Sequence, residues 1–478
     1  MSPEKSALEQ NFKSYKEIKL RYFSLVSNRR MPRGKMRALI GSKTASMETD
    51  LIHSGEKPDN AHIIAFNLSL NYAESIKSKG DLESILPSAI KEWMNSRAKE
   101  NFLWEELEQI DYKEIPKGTN SASAVSLFSG AMGLDLGFME SGVNILLGND
   151  IDKDSYNTVI SNMPNFNFIN DDIDKITPEA LMKKAGITPG QVDLLIGGPP
   201  CQPFSPAGRR AGLNDPRASP LRYFIKAIKE LKPAAFVMEE VPGLISSRLK
   251  HFPYYDKYKR TPVGDEVRGS AFQAVLEMIN STGYKFSYKV LNAADYGAPQ
   301  IRNRVIFIGM RDGKPSFPEP THSGDGSGEK EPWITFWESA RRLRYTGDME
   351  LGKEDLEYMK YVPPGGNWSM MPPDLVQMAM GRAYESEGGR MGFYRRIAWD
   401  EPSPTLVTSP AQKGTFLVHP EFDRFLSIAE YKVLQGFSDN WKISGGIGSK
   451  YRLIGNAVPT HLSKAISRHV LKILRGMT

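Results

Sequence analysis

A chain of 478 residues that is 40% apolar can bury a substantial core in two or three domains, and its single cysteine excludes a disulfide framework or a cysteine-rich zinc site. Sixty-two Lys and Arg against 56 Asp and Glu leave a net charge of +6, compatible with a nucleic-acid partner without requiring one. The N-terminus has no apolar leader and no stretch approaches about 18 uninterrupted apolar residues. The expectation is therefore a soluble chain in a reducing cytoplasm, with no membrane partner and no metal.

In chain order, residues 1–118 read as a helical extension, since SALEQNFKSYKEIKLRYFSLV carries apolar residues at helical spacing. Between Lys13 and Lys43 lie ten basic residues and one acid, Glu17, and a phosphate-binding segment and a solvated helix face account for them equally well. EIPKGTNSAS (114–123) is breaker-rich and reads as a linker. Five short apolar runs follow: AVSLF (124–128), NILLGND (144–150), VDLLIGG (192–198), AAFVMEEV (234–241) and RVIFIGM (304–310). Helix-length segments separate them, which predicts an α/β fold with a Rossmann-like parallel sheet over 119–310, covered by helices on both faces. Ligands of such sheets bind beyond the carboxyl ends of the strands. Residues 311–445 are rich in Gly and Pro and weakly periodic, a loop-rich inserted domain, and 446–478 return to the sheet with a final helix.

Several strand ends carry residues suited to chemistry. LFSGAMG (127–133) puts glycines between a strand and a helix, and Asp150 ends the next run about twenty residues on, the spacing of a ribose-binding acid. With Asp172 they point to an adenosine-containing cofactor. GGPPCQPFS (197–205) holds the only cysteine, Cys201, between prolines; a nucleophile and a small buried residue both fit that position. Glu239 and Glu240 end the fourth run, and strand alternation allows at most one of them to face a cleft. In QIRNR (300–304), Gln300, Arg302 and Arg304 fall on one side of an extended segment, suited to a salt-bridged face or to a planar base or phosphate.

Taken together, LFSGAMG, Asp150, Asp172, GGPPCQPFS, MEEV, QIRNR, RRIAWDEPSPTLVT and GNAVP resemble the DNA (cytosine-5)-methyltransferase family from about residue 123 to 475. The resemblance implies an S-adenosylmethionine-dependent methyltransferase sheet with a smaller target-recognition domain in the inserted region. It assigns Cys201 to attack on carbon 6 of cytosine, which makes carbon 5 nucleophilic. It gives Glu239 the ring nitrogen N3 and the exocyclic amine, Arg304 the base O2, and Arg302 a supporting place. The cofactor residues it implies are Phe128, Gly130, Gly133, Asp150, Ile151, Asp172, Pro200, Leu221, Asn456 and Val458. The target base must be flipped out of the DNA stack. The loop after the cysteine would close over it, with Ser205, Arg209, Arg210 and Arg217 toward DNA. Gln300, Arg395, Arg396 and Thr405 would contact DNA or brace the recognition domain. The implied partners are double-stranded DNA and a companion restriction endonuclease of the same site, and the implied state is a monomer in the bacterial cytoplasm. Three positions depart from the family pattern: Glu240 stands for the usual Asn, Ser126 for a frequent Asp and Met132 for a common Gly. A tRNA cytosine methyltransferase of the same fold and a non-catalytic DNA-binding relative are the rival readings. The presence of Cys201, Glu239 and Arg304 together weighs against the second.

Overall fold

The computed structural model describes residues 121–200, 218–250, 261–324, 326, 329–340, 343, 347–385 and 390–476. The N-terminal extension with its basic run, and Cys201, Ser205, Arg209, Arg210 and Arg217, lie outside the described residues. The described chain divides into two compact units, residues 121–320 with 435–476, and residues 321–434. Sequence reading placed these divisions at 311 and 446.

The first unit is a seven-stranded sheet in the order β3-β2-β1-β4-β5-β7-β6. Its strands are β1 (Ser123–Leu127), β2 (Asn144–Asn149), β3 (Phe168–Ile169), β4 (Leu194–Gly197), β5 (Ala235–Glu240), β6 (Lys285–Asn292) and β7 (Asn303–Met310). Its helices in chain order are α1 (Gly133–Met139), α2 (Lys153–Asn162), α3 (Pro178–Ala185), α4 (Ser219–Leu231) and α5 (Ser270–Asn280). The five apolar runs each form a strand because both sheet faces are covered, which demands apolar side chains on both sides of each strand. Alternation sorts them. Val125, Leu195, Phe236, Met238, Val305 and Phe307 enter one core with α3, α4 and α5. Ala124, Leu194, Ile196, Val237, Ile306 and Ile308 enter the other with α1.

One expectation needs correction. The sheet is not wholly parallel, because β7 runs antiparallel to both β5 and β6. QIRNR therefore runs into the start of a reversed strand, and that start lies at the same edge as the carboxyl ends of β1, β4 and β5.

The second unit contains α6 (Phe336–Ala340), α7 (Lys353–Met359), α8 (Pro373–Met380) and most of α9 (Ile428–Gln435), joined by turns. Its core is small, with Met359, Val362, Tyr394, Phe416, Val418 and Phe425 among its members. A fully buried Arg396 (0% exposed) holds it together. Its Nε donates to the Val362 carbonyl (2.7 Å), Nη1 to those of His419 (2.8 Å) and Phe422 (3.0 Å), and Nη2 to that of Met359 (3.1 Å). It also pairs with Asp423. Arg396, expected to contact DNA or to brace this region, is wholly engaged inside the unit and leaves no exposed surface for a phosphate. After Gln435 the chain returns to the sheet with α10 (Ile447–Asn456) and α11 (Thr460–Leu474). Leu462, Ile466 and Val470 of α11 complete the core over α1.

Removing a buried charge that holds several carbonyls costs about 3–5 kcal/mol. Arg396→Met is expected to destabilise the second unit by that order, seen as an earlier transition in urea denaturation followed by tryptophan fluorescence.

Candidate active site

The edge where β1, β4 and β5 end is shaped by close approach. A Cβ on Gly197 would lie 2.5 Å from the Leu127 carbonyl oxygen, and one on Gly198 would lie 2.8 Å from Glu239 Oε2. Neither glycine has a left-handed backbone. The Gly-Gly pair thus serves to bring three strand ends together. Pro199 and an exposed Pro200 carry the chain onward from that edge toward Cys201.

Glu239 and Glu240 occupy opposite faces, as alternation requires. Glu239 keeps 12% of its side chain exposed, and its Oε1 lies 2.6 Å from Nε of Arg304, which is 11% exposed. Arg304 Nη1 also donates to the Asn303 carbonyl (2.7 Å). Glu240, 2% exposed, is buried on the other face. The pairing of Glu240 with Val305 and of Glu239 with Ile306 fixes this register. Arg302 and Gln300, at 1% and 0% exposure, are buried more deeply than Arg304. Arg302 Nη2 donates to the Gly455 carbonyl (2.7 Å), and Gln300 Nε2 to Oε1 of Gln435 (2.5 Å). Gln300, expected at DNA, is instead bonded inside the protein.

The turn after β1 is strained. Phe128, Gly130 and Met132 all have left-handed backbones, with φ of 60°, 54° and 68°. In non-glycine residues this costs roughly 1–2 kcal/mol each. Asp150 holds the turn: its Oδ2 accepts the Gly130 N–H (2.8 Å) and its Oδ1 the Asp152 N–H (2.8 Å). Burial raises the Asp150 pKa against the pull of these two donors. Asn149 Nδ2 donates to the Ile169 (3.0 Å) and Asp171 (3.1 Å) carbonyls, which ties the segment leading to Asp172 to the end of β2. A Cβ on Gly133 would lie 2.4 Å from the Val458 carbonyl, so GNAVP sits directly on the start of α1.

These residues fit an adenosine-containing cofactor. Asp150 is oriented by backbone donors, Ile151 beside it leaves an apolar side chain 67% exposed, and Asn456 is exposed at the end of α10. Leu221 and Val458 differ from the others, since both are core residues.

Sequence reading missed Asp135 in α1. Its carboxyl is completely buried beside the hydroxyls of Ser126 and Ser129, which bond each other at 3.0 Å, and neither carboxyl oxygen accepts a bond of good geometry. Burial pushes its pKa to about 6, with Ser126 and Ser129 pulling it down and the Asp150 charge raising it. No local pattern distinguishes this Asp from a solvent-facing one. In the second unit, Arg395 is partly buried, its Nε donates to the Phe416 carbonyl (3.0 Å), and burial lowers its pKa to about 10. Thr405 there is half-buried.

A profile of the C-5 cytosine-specific DNA methylase family matches residues 122–472. The chain belongs to that family. It is similar to the Type II methyltransferase M.PspPI of Psychrobacter sp., 35% identical over 372 residues, covering 75% of this chain and 81% of that protein. It is also similar to the Type II methyltransferase M.Sau96I of Staphylococcus aureus, 32% identical over 379 residues, covering 77% and 79%. A solved E. coli structure described as a prophage-encoded DNA modification methyltransferase shares the fold at 22% identity and a TM-score of 0.51, covering 74% of this chain and all of that one.

Because Asp135 titrates higher folded (about 6) than its ordinary value of 3.8, the folded methylase takes up this proton more readily than the unfolded chain. Its contribution to stability is fully present below 3.8 and is lost as pH rises through 6. Asp135→Asn is therefore expected to be more stable than wild type by up to about 3 kcal/mol near pH 8, with the gap closing near pH 4. Denaturation at both pH values checks this.

Proposed function

We propose that this methylase transfers a methyl group from S-adenosylmethionine to carbon 5 of a flipped cytosine within a short specific sequence of double-stranded DNA, through a covalent Cys201 adduct. The Glu239–Arg304 pair carries the reading: a carboxylate and a guanidinium 2.6 Å apart, at the strand edge where the Gly198-Pro-Pro segment leads to Cys201. When bound, S-adenosylmethionine supplies an electrophilic methyl group. Cys201 adds as the thiolate to carbon 6, pushing electron density onto carbon 5. Glu239 hydrogen-bonds N3 and the exocyclic amine, stabilising the charge that develops as the sulfur adds. Arg304 holds Glu239 in place and offers donors to O2. After carbon 5 accepts the methyl group, it loses its proton, the carbon–sulfur bond breaks and the ring regains its aromaticity.

Asp150 holds the ribose, Ile151 covers the adenine, and Asn456 closes the pocket. The 321–434 unit serves as the target-recognition domain. The similarity to Type II methyltransferases supports a place as the modification half of a restriction-modification system, protecting host DNA from a companion endonuclease.

Expression in a host lacking cytosine methylation, followed by bisulfite sequencing, tests the activity. Conversion-resistant cytosines sharing one short sequence are expected, and their absence in DNA but presence in tRNA would transfer the substrate to RNA. Cys201→Ser is expected to abolish methylation while leaving S-adenosylmethionine affinity within about twofold, measured by calorimetry. Full activity of that variant would sink the covalent mechanism.

A further inference from the structure

The fully buried Gln435 lies at the end of α9, far in sequence from the cysteine turn and from the cofactor acids. Its amide is saturated. Nε2 donates to the Ile454 carbonyl (2.9 Å) and to the Ala457 carbonyl, and Oε1 accepts from Gln300 Nε2 (2.5 Å). Because two carbonyl oxygens stand on one side, only the nitrogen can face them, and the network sets the amide's orientation. Arg302 adds its bond to the Gly455 carbonyl (2.7 Å).

These bonds converge on the last turn of α10. The final carbonyls of a helix have no partner within it, and here side chains from elsewhere in the fold supply the donors. The arginine also sets a positive charge at the negative end of the helix. Between the held carbonyls of Gly455 and Ala457 stands Asn456, exposed, and the next carbonyl, that of Val458, presses on Gly133 at the start of α1. A slip of this turn would move Asn456 and loosen the contact beneath the strained Phe128–Gly133 segment.

We propose that Gln435 is a positioning residue for cofactor capture: its amide, oriented by Gln300, holds the Asn456–Val458 turn in the place where it closes on S-adenosylmethionine. Gln300 and Arg302 thereby act on the cofactor side as well as leading into Arg304. This inference rests on the reading that the cofactor lies between the Phe128–Gly133 turn and Asn456.

The test uses the full chain. Gln435→Glu keeps the side chain's size and its acceptor toward Gln300 but loses both donations, setting a carboxylate against two carbonyls. Gln435→Met is neutral, carries no donor, and stands in if the glutamate fails to fold. Gln300→Glu leaves Gln435 intact but places an acceptor where Oε1 needs a donor, which favours turning the amide over. Calorimetry with S-adenosylmethionine, fluorescence anisotropy with the target duplex, and thermal melting are measured side by side.

The expected result is S-adenosylmethionine affinity weakened ten- to a hundredfold in the Gln435 variants and in Gln300→Glu. The Michaelis constant for the cofactor rises in step, while duplex affinity and turnover at saturating cofactor stay within about threefold. Wild-type binding with equal cofactor affinity in all variants would overturn this inference and leave the proposed function standing. Parallel losses of cofactor and duplex affinity with early melting would make Gln435 merely structural and overturn it too. A folded wild-type chain that binds no S-adenosylmethionine would overturn both readings.

Discussion

The reversal of β7 is the constraint on which the site depends. In a parallel sheet every strand delivers its carboxyl end to the ligand edge, so a residue entering a sixth parallel strand would start at the opposite edge. By running antiparallel between β5 and β6, β7 brings its entry segment to the edge where β4 and β5 end. Arg304 then lies against Glu239. A slip of one residue would send Arg304 to the other face and separate the pair. The apolar alternation of β5 and β7, shared between two cores, fixes that register.

Around this pair the protein accepts unfavourable local features. An ion pair taken out of water gains little net stability over apolar packing. Asp135 is buried without a hydrogen-bond donor in good geometry, and Phe128 and Met132 hold left-handed conformations. All of these lie at the ligand edge or directly beneath the Phe128–Gly133 turn, where packing on both sheet faces is tight enough to hold them. The Asp135 carboxyl also bears on one departure from the family pattern. Ser126 lacks the frequent acid, and α1 brings a carboxyl to the side of its hydroxyl from the next element.

Much of the sheet was legible in the sequence. Runs buried on both faces are apolar throughout, and so β1, β2, β4, β5 and β7 stood out to within a residue or two. β3 is only two residues long and β6 is a largely exposed edge strand, and neither leaves such a run. The direction of β7 was illegible because an apolar run reads the same in parallel and antiparallel pairing. Cysteine-turn, glutamate and glycine motifs were visible because their residue types are unusual at strand ends. The spacing of QIRNR suggested three side chains on one side, but spacing cannot say whether a side chain faces solvent or interior, and Gln300 and Arg302 are almost wholly buried. Gln435, Asn149 and Asp135 had no signal at all: a buried polar residue is defined by partners distant in sequence.

Ser463 Oγ reaches the Leu134 carbonyl across 329 residues of chain, and the helix that carries it covers α1 and one face of the central strands. During synthesis that helix leaves the ribosome long after the strands it must cover. Until then Ala124, Ile196, Val237 and Ile306 belong to an open apolar surface, the kind that chaperones bind and that aggregates if left waiting. Messenger damage or stalling late in translation would therefore yield a polypeptide with every strand present but one face of its sheet open. The time to finish the chain therefore sets how long that face of the sheet stays open.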